Sequence, residues 1–480
     1  MRESSSVASL VQGLRQEAQR LAPGSRLPSV RALMARHRVS PGTVRQAMAR
    51  LAEEGVLDAR PGQGTFVGAV AAPRVGAAPD FAWQASALGP GRITADDVAT
   101  LLAGAPAGAI NLAGGYPAED LQAVDLAARA LARAARRPGV WGRVPLEGLD
   151  GLRAWFARQL GPTVTAREVV ICPGSQAAIA TAFNALTQPG DAVLVESPSY
   201  VGAMAAARAA GLRLVPVPTD AHGVVPDLLA RAFDASGARV FYTQPLHANP
   251  TGATLAAARR APLLDVVVSR GALVVEDDWC RDLSFDKAPP RPLFAADVHG
   301  HAVYLRSLTK STAPGLRIGA IVARGAALAR LTASRAVTEF FVSGPMQEAA
   351  LEVVHAPAWQ RHLRRVRSIL VGRRDALVAA ARQHLGPASV AVVPSGGIHL
   401  WVRLPDDADS DEVARRAAAA GVVVSPGRRW FPAEPTGSFL RVSYACADEP
   451  ELLRGVEVLA RLVTAVPSRR ATRSSARARR

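Results

Sequence analysis

Along the first 68 residues the apolar positions keep a helical spacing and then switch to the alternation of strands. Leu10, Leu14, Ala18 and Leu21 share one face of a helix predicted over Ala8–Ala22, which Pro23-Gly24 ends. Ser29 is placed to cap a second helix, Val30–His37, because its hydroxyl can accept from an otherwise unpaired N–H of the first turn. Ser40 does the same for a third helix, predicted over Thr43–Glu54, with Pro41 at the first position, where a missing N–H costs nothing. Its Val44, Ala47, Met48 and Leu51 fall on one face and should pack on the second helix. After Gly55, the short runs Val56–Arg60 and Thr65–Val67 flank Pro61-Gly62-Gln63-Gly64, which predicts two strands around a glycine-rich tip. Three helices and a hairpin in this order predict a winged helix-turn-helix domain over residues 1–68.

Residues 69–108 are rich in Ala, Pro and Gly with weak periodicity and read as a linker. From Ala109 the pattern becomes an alternation of helical stretches with short buried-strand runs: Glu168–Cys172, Ala192–Glu196, Val240–Tyr242, Ala272–Glu276 and Ala302–Leu305. Such alternation argues an α/β domain on a parallel sheet. The later part, about 347–463, mixes long helices with strands at Ile398–Leu404 and Phe439–Tyr444 and reads as a smaller α+β subdomain. The whole body is thus predicted over 109–465, followed by a basic, disordered tail at 466–480.

Composition narrows this picture. No apolar run approaches the roughly 18 residues that a membrane helix needs, and Met1 to Leu14 is too polar for a signal peptide. Cys172, Cys280 and Cys446 show neither metal spacing nor pairing, so three buried, reduced thiols in a cytoplasmic protein are expected, and no metal site. The net charge of +17 points to a polyanionic partner, and its placement says more: residues 1–68 hold ten Arg against five acids. Six Arg and no acid lie between Ser468 and Arg480, a solvated end that could also touch phosphates. Only two of the 57 basic residues are lysines, Lys287 and Lys310. Where arginine serves every purely electrostatic need, a remaining lysine suggests amine chemistry.

In the head, the third helix offers Ser40, Thr43, Arg45 and Gln46 near its start, where side chains reach base edges in a major groove. Arg31, opening the second helix, can meet phosphate or guanine, and the small wing tip Gly62-Gln63-Gly64 can enter a minor groove. Taken together and in order, these features resemble the DNA-binding domain of the GntR regulator family over Leu10 to about Gly68. The resemblance implies a double-stranded DNA operator as partner.

In the body, Lys310 follows the strand Ala302–Leu305 in Ser307-Leu308-Thr309-Lys310-Ser311, and Arg317 comes seven residues later in Pro314-Gly315-Leu316-Arg317. Lys287 sits in a turn-like Asp286-Lys287-Ala288-Pro289-Pro290 without such company. Asp277 ends the strand Ala272–Glu276 and should point from a strand's carboxyl end into a cleft. His247-Ala248-Asn249-Pro250-Thr251-Gly252 also follows a strand, and Pro173-Gly174-Ser175-Gln176 opens a helix whose N–H groups face an anion. A lysine for a Schiff base, an acid for a ring nitrogen, donors for a ring oxygen and a cup for a phosphate are what pyridoxal phosphate (PLP) requires.

These segments resemble the fold-type I aminotransferases over roughly Ala109 to Val463. The resemblance implies that Lys310 forms the Schiff base, Asp277 pairs with the pyridine nitrogen and Asn249 contacts the ring oxygen. It further implies that Tyr200 stacks on the ring, that Ser175, Gln176, Ser307 and Arg317 hold the phosphate, and that Arg441 binds the carboxylate of an amino-acid ligand. A GntR-like head on such a body resembles the MocR group of regulators, in which the body senses a small amino acid or amine and dimerises to bring two heads together. Two departures bear on catalysis. Trp279 stands where the group has a tyrosine that donates to the ring oxygen, and indole can donate but cannot accept or ionise. Trp141-Gly142-Arg143 stands near where a tyrosine reaches into the partner's site. The expected protein is a PLP-dependent transcription regulator with weak or secondary transamination; a working aminotransferase with a DNA-binding head, or a body kept only as a dimerisation scaffold, are the alternatives.

Overall fold

A computed structural model describes residues 5–68, 80–89, 98, 102, 104–285 and 288–464. Lys287, most of the expected linker and the basic tail 466–480 lie outside the described residues. The chain divides into two compact units, Met1–Pro90 and Gly91–Arg480.

In the first unit α1 (Ser5–Arg20), α2 (Val30–His37) and α3 (Pro41–Glu53) are followed by the antiparallel pair β1 (Leu57–Arg60) and β2 (Gly64–Val67). Both caps form: Ser29 Oγ accepts from Ala32 N at 3.3 Å and Ser40 Oγ from Thr43 N at 3.2 Å. The first helix starts three residues before its predicted start, and the third begins at Pro41. Leu14, Leu33, Val44, Ala47 and Leu51 are completely buried and close a small core of their own. Gly62 and Gly64 have φ of 75° and 114°, and this left-handed backbone is what glycine permits at the tip between the strands.

The second unit is built on an eight-stranded sheet in the order Val169–Cys172, Gly319–Val322, Ala302–Ser307, Leu273–Asp278, Val240–Thr243, Ala192–Ser197, Arg213–Asp220 and Gly223–Val224. Five consecutive members, from Ala302–Ser307 to Arg213–Asp220, run parallel; the first four are buried almost throughout, whereas Arg213–Asp220 is largely exposed or half-buried. The sheet as a whole is mixed, which corrects the expectation of a purely parallel one. Gly319–Val322 runs antiparallel to both neighbours because only a short connection joins it to Ala302–Ser307. A second correction concerns Asp277: the strand extends to Asp278, so Asp277 lies inside it, opposite Leu305. A three-stranded antiparallel sheet, with His399–Arg403 beside Phe439–Ser443, forms the centre of the C-terminal part and has its own core around Leu400, Val442 and Tyr444.

Cys172 and Cys280 are buried, but Cys446 is only partly so, which corrects the expectation of three buried thiols. Among the described residues no helix is long and apolar enough to cross a membrane, and no group of ligand-type side chains could hold a metal ion.

Candidate functional site

At the carboxyl ends of the parallel strands lies a cavity of ≈ 350 Å³ whose wall includes Ser175, Gln176, Tyr200, Asn249, Asp277, Ser307, Lys310, Arg317 and Arg441. Ser175, Tyr200, Asn249, Ser307 and Lys310 meet there because they stand at or just beyond strand ends on one edge of the sheet, while Asp277 near the end of its strand, Arg317 and, from the antiparallel sheet, Arg441 complete the wall. Tyr116, Gln244 and Thr309 line the same cavity and were not expected from sequence. Tyr116 and Gln244 stand in irregular segments without periodicity; Thr309 stood inside the quoted lysine segment and could have been read there.

Lys310 is held tightly. Its Nζ donates to the Gly115 carbonyl at 2.6 Å and sits 3.4 Å from the centre of the Tyr116 ring. Burial, together with the nearby Arg441 and Arg317 guanidiniums, pulls its pKa down from 10.5 to about 7. The free amine is the nucleophilic form, so reactivity rises with pH through the shifted value. Trapping of a small aldehyde on Lys310 by borohydride should therefore climb around pH 7. A profile that climbs only near pH 10, read by peptide mapping, would contradict this environment.

Asp277 is 1% exposed and lines the same cavity as Lys310, whose charge acts on it. Its Oδ2 accepts from the Tyr242 hydroxyl at 2.7 Å and from Gln244 Nε2 at 2.7 Å. Its Oδ1 is buried and has no partner among the described residues. Burial raises the carboxyl pKa to about 6 against these two hydrogen bonds, so the group is mostly ionised at neutral pH. A buried, ionised oxygen without a donor calls for a cationic N–H. Gln244 is itself fixed from behind, where Glu196 accepts from its N–H at 3.1 Å and from Thr243 Oγ1 at 2.7 Å. Asn249, 7% exposed, likewise has an unpartnered Oδ1.

A helix start and a guanidinium form part of the wall. Ser175 opens the helix Ser175–Leu186, and Gly174 before it has φ 91°. A Cβ at Gly174 would lie 2.7 Å from Arg317 Nη2, so glycine is what lets the guanidinium lie across the helix start. Arg317 Nη2 donates to Pro173 O at 2.8 Å. Ser307 Oγ accepts from Thr309 N at 3.1 Å, and Thr309 Oγ1 is buried without a partner among the described residues. Gln176 accepts from the Tyr200 hydroxyl at 3.1 Å and donates to Gly202 O at 2.8 Å, which fixes the Tyr200 ring.

Arg441 also lines the cavity and is 1% exposed. It donates to the Ala113 carbonyl, lies 4.5 Å over the Trp430 ring, and has Nη1 2.7 Å from His399 Nε2. Burial and the two cations, Arg441 and Lys310, push the His399 pKa well below 6.5, so the imidazole is neutral and its Nε2 accepts. Trp279 stacks on His399 at 5.7 Å and 22°, and donates its N–H to the His247 carbonyl at 3.0 Å. The indole N–H is thus already used. Trp141 is 74% exposed and donates to Ala135 O, and it lines no part of this cavity.

In the head, Arg31, Arg45 and Gln46 are exposed, as are Ser40, Gly62 and Gly64, while Thr43 is half-buried. Ser40 and Thr43 bond each other through their hydroxyls at 2.9 Å, so in this geometry both serve the cap. Arg26, not singled out from sequence, lies against the wing: a Cβ on Gly64 would meet its Nε at 2.9 Å. Arg60 stacks over Phe66 in the same hairpin at 4.6 Å.

Comparison with known proteins adds the following. Residues 107–459 match the aminotransferase class I and II family, and residues 8–67 match the gntR family of bacterial regulatory proteins. The uncharacterized HTH-type transcriptional regulator YdfD of Bacillus subtilis is 29% identical over 65% of this chain and 65% of its own length. The uncharacterized HTH-type transcriptional regulator YisV of the same organism is 29% identical over 92% of this chain and 91% of its own. Among solved structures, LysN, the alpha-aminoadipate aminotransferase of Thermus thermophilus complexed with N-(5'-phosphopyridoxyl)-L-leucine, superposes with a TM-score of 0.73 at 32% identity, over 79% of this chain and 98% of that one.

Proposed function

Since the chain belongs to the aminotransferase class I and II family and carries a gntR-family head, we propose that its body is a sensor which binds PLP, admits an amino acid or another amine, and alters how the head engages its operator. The protein is a GntR-type DNA-binding regulator fused to an aminotransferase-like body, and that body implies pyridoxal phosphate as its cofactor. The unpartnered Oδ1 of Asp277 carries the reading: it is an ionised, buried oxygen in a cavity lined also by Lys310, a helix start and a guanidinium.

When bound, PLP supplies an aldehyde that amines attack and a ring that accepts electrons. The cup of Ser175, Gln176, Ser307 and Arg317 would take its phosphate, Tyr200 would lie on its ring, and Asn249 would meet its ring oxygen. Asp277 would keep a proton on the ring nitrogen, and Lys310 would give and take one at Nζ near neutral pH. Arg441 orients a ligand carboxylate through its planar fork. Trp279 Nε1–H is committed to the His247 carbonyl, so this side chain excludes water but moves no proton. We further propose a homodimer through the body, since paired half-sites suit a helix-turn-helix head, and a cytoplasmic location, where DNA is reached.

A ligand shifts the protein between two arrangements only if it binds them unequally. Operator affinity and keto-acid release, measured together across a panel of amino acids and amines, test the reading. The best ligand should change operator affinity while turnover stays below about one per second, under the usual enzyme range. Turnover of several per second with unchanged affinity would establish the second reading, a working aminotransferase, which the likeness to LysN favours. Trp279→Tyr restores a hydroxyl that can both give and take, and should raise turnover about tenfold or more if that hydroxyl is limiting.

A further inference from the structure

Away from the cofactor cavity the body has a second pocket, of ≈ 260 Å³, whose wall includes Leu160, Arg281, Asp282, Arg291, Arg306 and Arg367. Four guanidiniums against one carboxylate is an unusual lining, because like charges converge only where something offsets them.

The charges are not cancelled within the wall. Arg281 is paired with Asp278 at 2.7 Å, and Arg306 with Asp282 at 2.6 Å. Arg367 Nε donates to the Asp282 carbonyl at 2.8 Å and Arg291 Nη2 to the Leu160 carbonyl at 3.4 Å. Both of those acceptors are neutral, and neither arginine has a carboxylate partner among the described residues. Burial pulls the Arg367 pKa down, with the Asp282 charge opposing and Arg364 adding to it. Arg306 is only 2% exposed, and its Nε and Nη1 have no hydrogen-bond partner among the described residues. Its plane lies 5.2 Å from the Trp155 ring, which leaves those two donors unused.

We propose that this pocket is an anion-binding site for a small phosphate-type dianion, a free phosphate or a phosphomonoester. Planar guanidinium forks match phosphate oxygens in pairs, and a dianion neutralises the two arginines that carboxylates leave unpaired. The site is connected to the reactive lysine. Asp282 holds Arg306 through Oδ1 and accepts from Ser311 Oγ through Oδ2 at 2.9 Å, and Ser311 follows Lys310 directly. An anion that draws Arg306 from Asp282 loosens the carboxylate that fixes Ser311, so occupancy here and ligand binding at Lys310 influence each other reciprocally.

The test is calorimetric titration of inorganic phosphate into the full chain saturated with PLP, with ionic strength held constant by sodium chloride. Saturable binding is expected, weakened about tenfold or more by Arg367→Ser and by Arg291→Ser, since each removes a charge-assisted donor. Both residues lie at the outer wall, and unchanged melting temperatures would show that the fold persists. The proposal falls if the wild-type chain shows no saturable binding, or if both pocket variants bind as the wild type does. A phosphomonoester binding more tightly than phosphate, with the same dependence on Arg367, identifies the ester as the better ligand.

Discussion

Replacing Lys310 with alanine should abolish the cofactor adduct that borohydride traps on this protein. Only Lys287 and Lys310 carry a side-chain amine, and of the two Lys310 lines the cavity together with Asp277. Its environment favours the reaction: with a pKa of about 7 a large share of the amine is unprotonated at neutral pH, whereas an ordinary lysine would be almost wholly ammonium. The loss should be complete rather than graded, because no second amine stands in the wall of the cavity among the described residues. The Asp277 oxygen and the anion cup remain in Lys310→Ala, so non-covalent PLP binding should survive with reduced affinity. Mass spectrometry after reduction reads the first effect and equilibrium dialysis the second. Trapping that persists in Lys310→Ala and disappears in Lys287→Ala would overturn the placement of the site.

The second large effect concerns DNA. Removing residues 1–68 should eliminate operator binding, and charge pairing within the head indicates which side chains matter most. Arg15 and Arg50 are tied to Glu54, Arg36 to Glu17 and Arg60 to Asp58. Arg26, Arg31 and Arg45 carry no ion pair among the described residues and are exposed, so their charge is available to DNA. Arg45 stands in the first turns of α3, which the groove admits, and Arg45→Ala should cost roughly 1–3 kcal/mol and relax specificity at its base. Arg31→Ala, if Arg31 meets phosphate, should weaken all sequences alike and flatten the salt dependence. Footprinting and salt-dependent titrations separate these outcomes. A truncated chain that still finds the operator would exclude the head as the reader.

How much of this was visible in the chain itself depends on how far each interaction reaches. The head was largely legible because its signals are local. Ser29 and Ser40 bond to N–H groups three residues on, and Gly62 and Gly64 supply the left-handed backbone that their own tip requires. The strands that carry Asp277, Asn249 and Lys310 were legible too, since a parallel strand buried on both faces is written as an unbroken apolar run. Their carboxyl ends then had to share one edge of the sheet. What the chain alone could not convey was the state of the side chains. The Lys310 amine is held by Gly115, 195 residues earlier, and Arg441 by Ala113, 328 residues earlier. The indole N–H of Trp279 is taken by a carbonyl 32 residues away, and the neutral His399 beside Arg441 gave no sign of itself as a single residue in a strand. Residue types and their order determined the architecture and the inventory of the site, because periodicity and capping act over a few residues. Protonation, donor commitment and the second arginine-lined pocket were decided by tertiary structure alone, because burial and charge proximity exist only once distant segments have packed together.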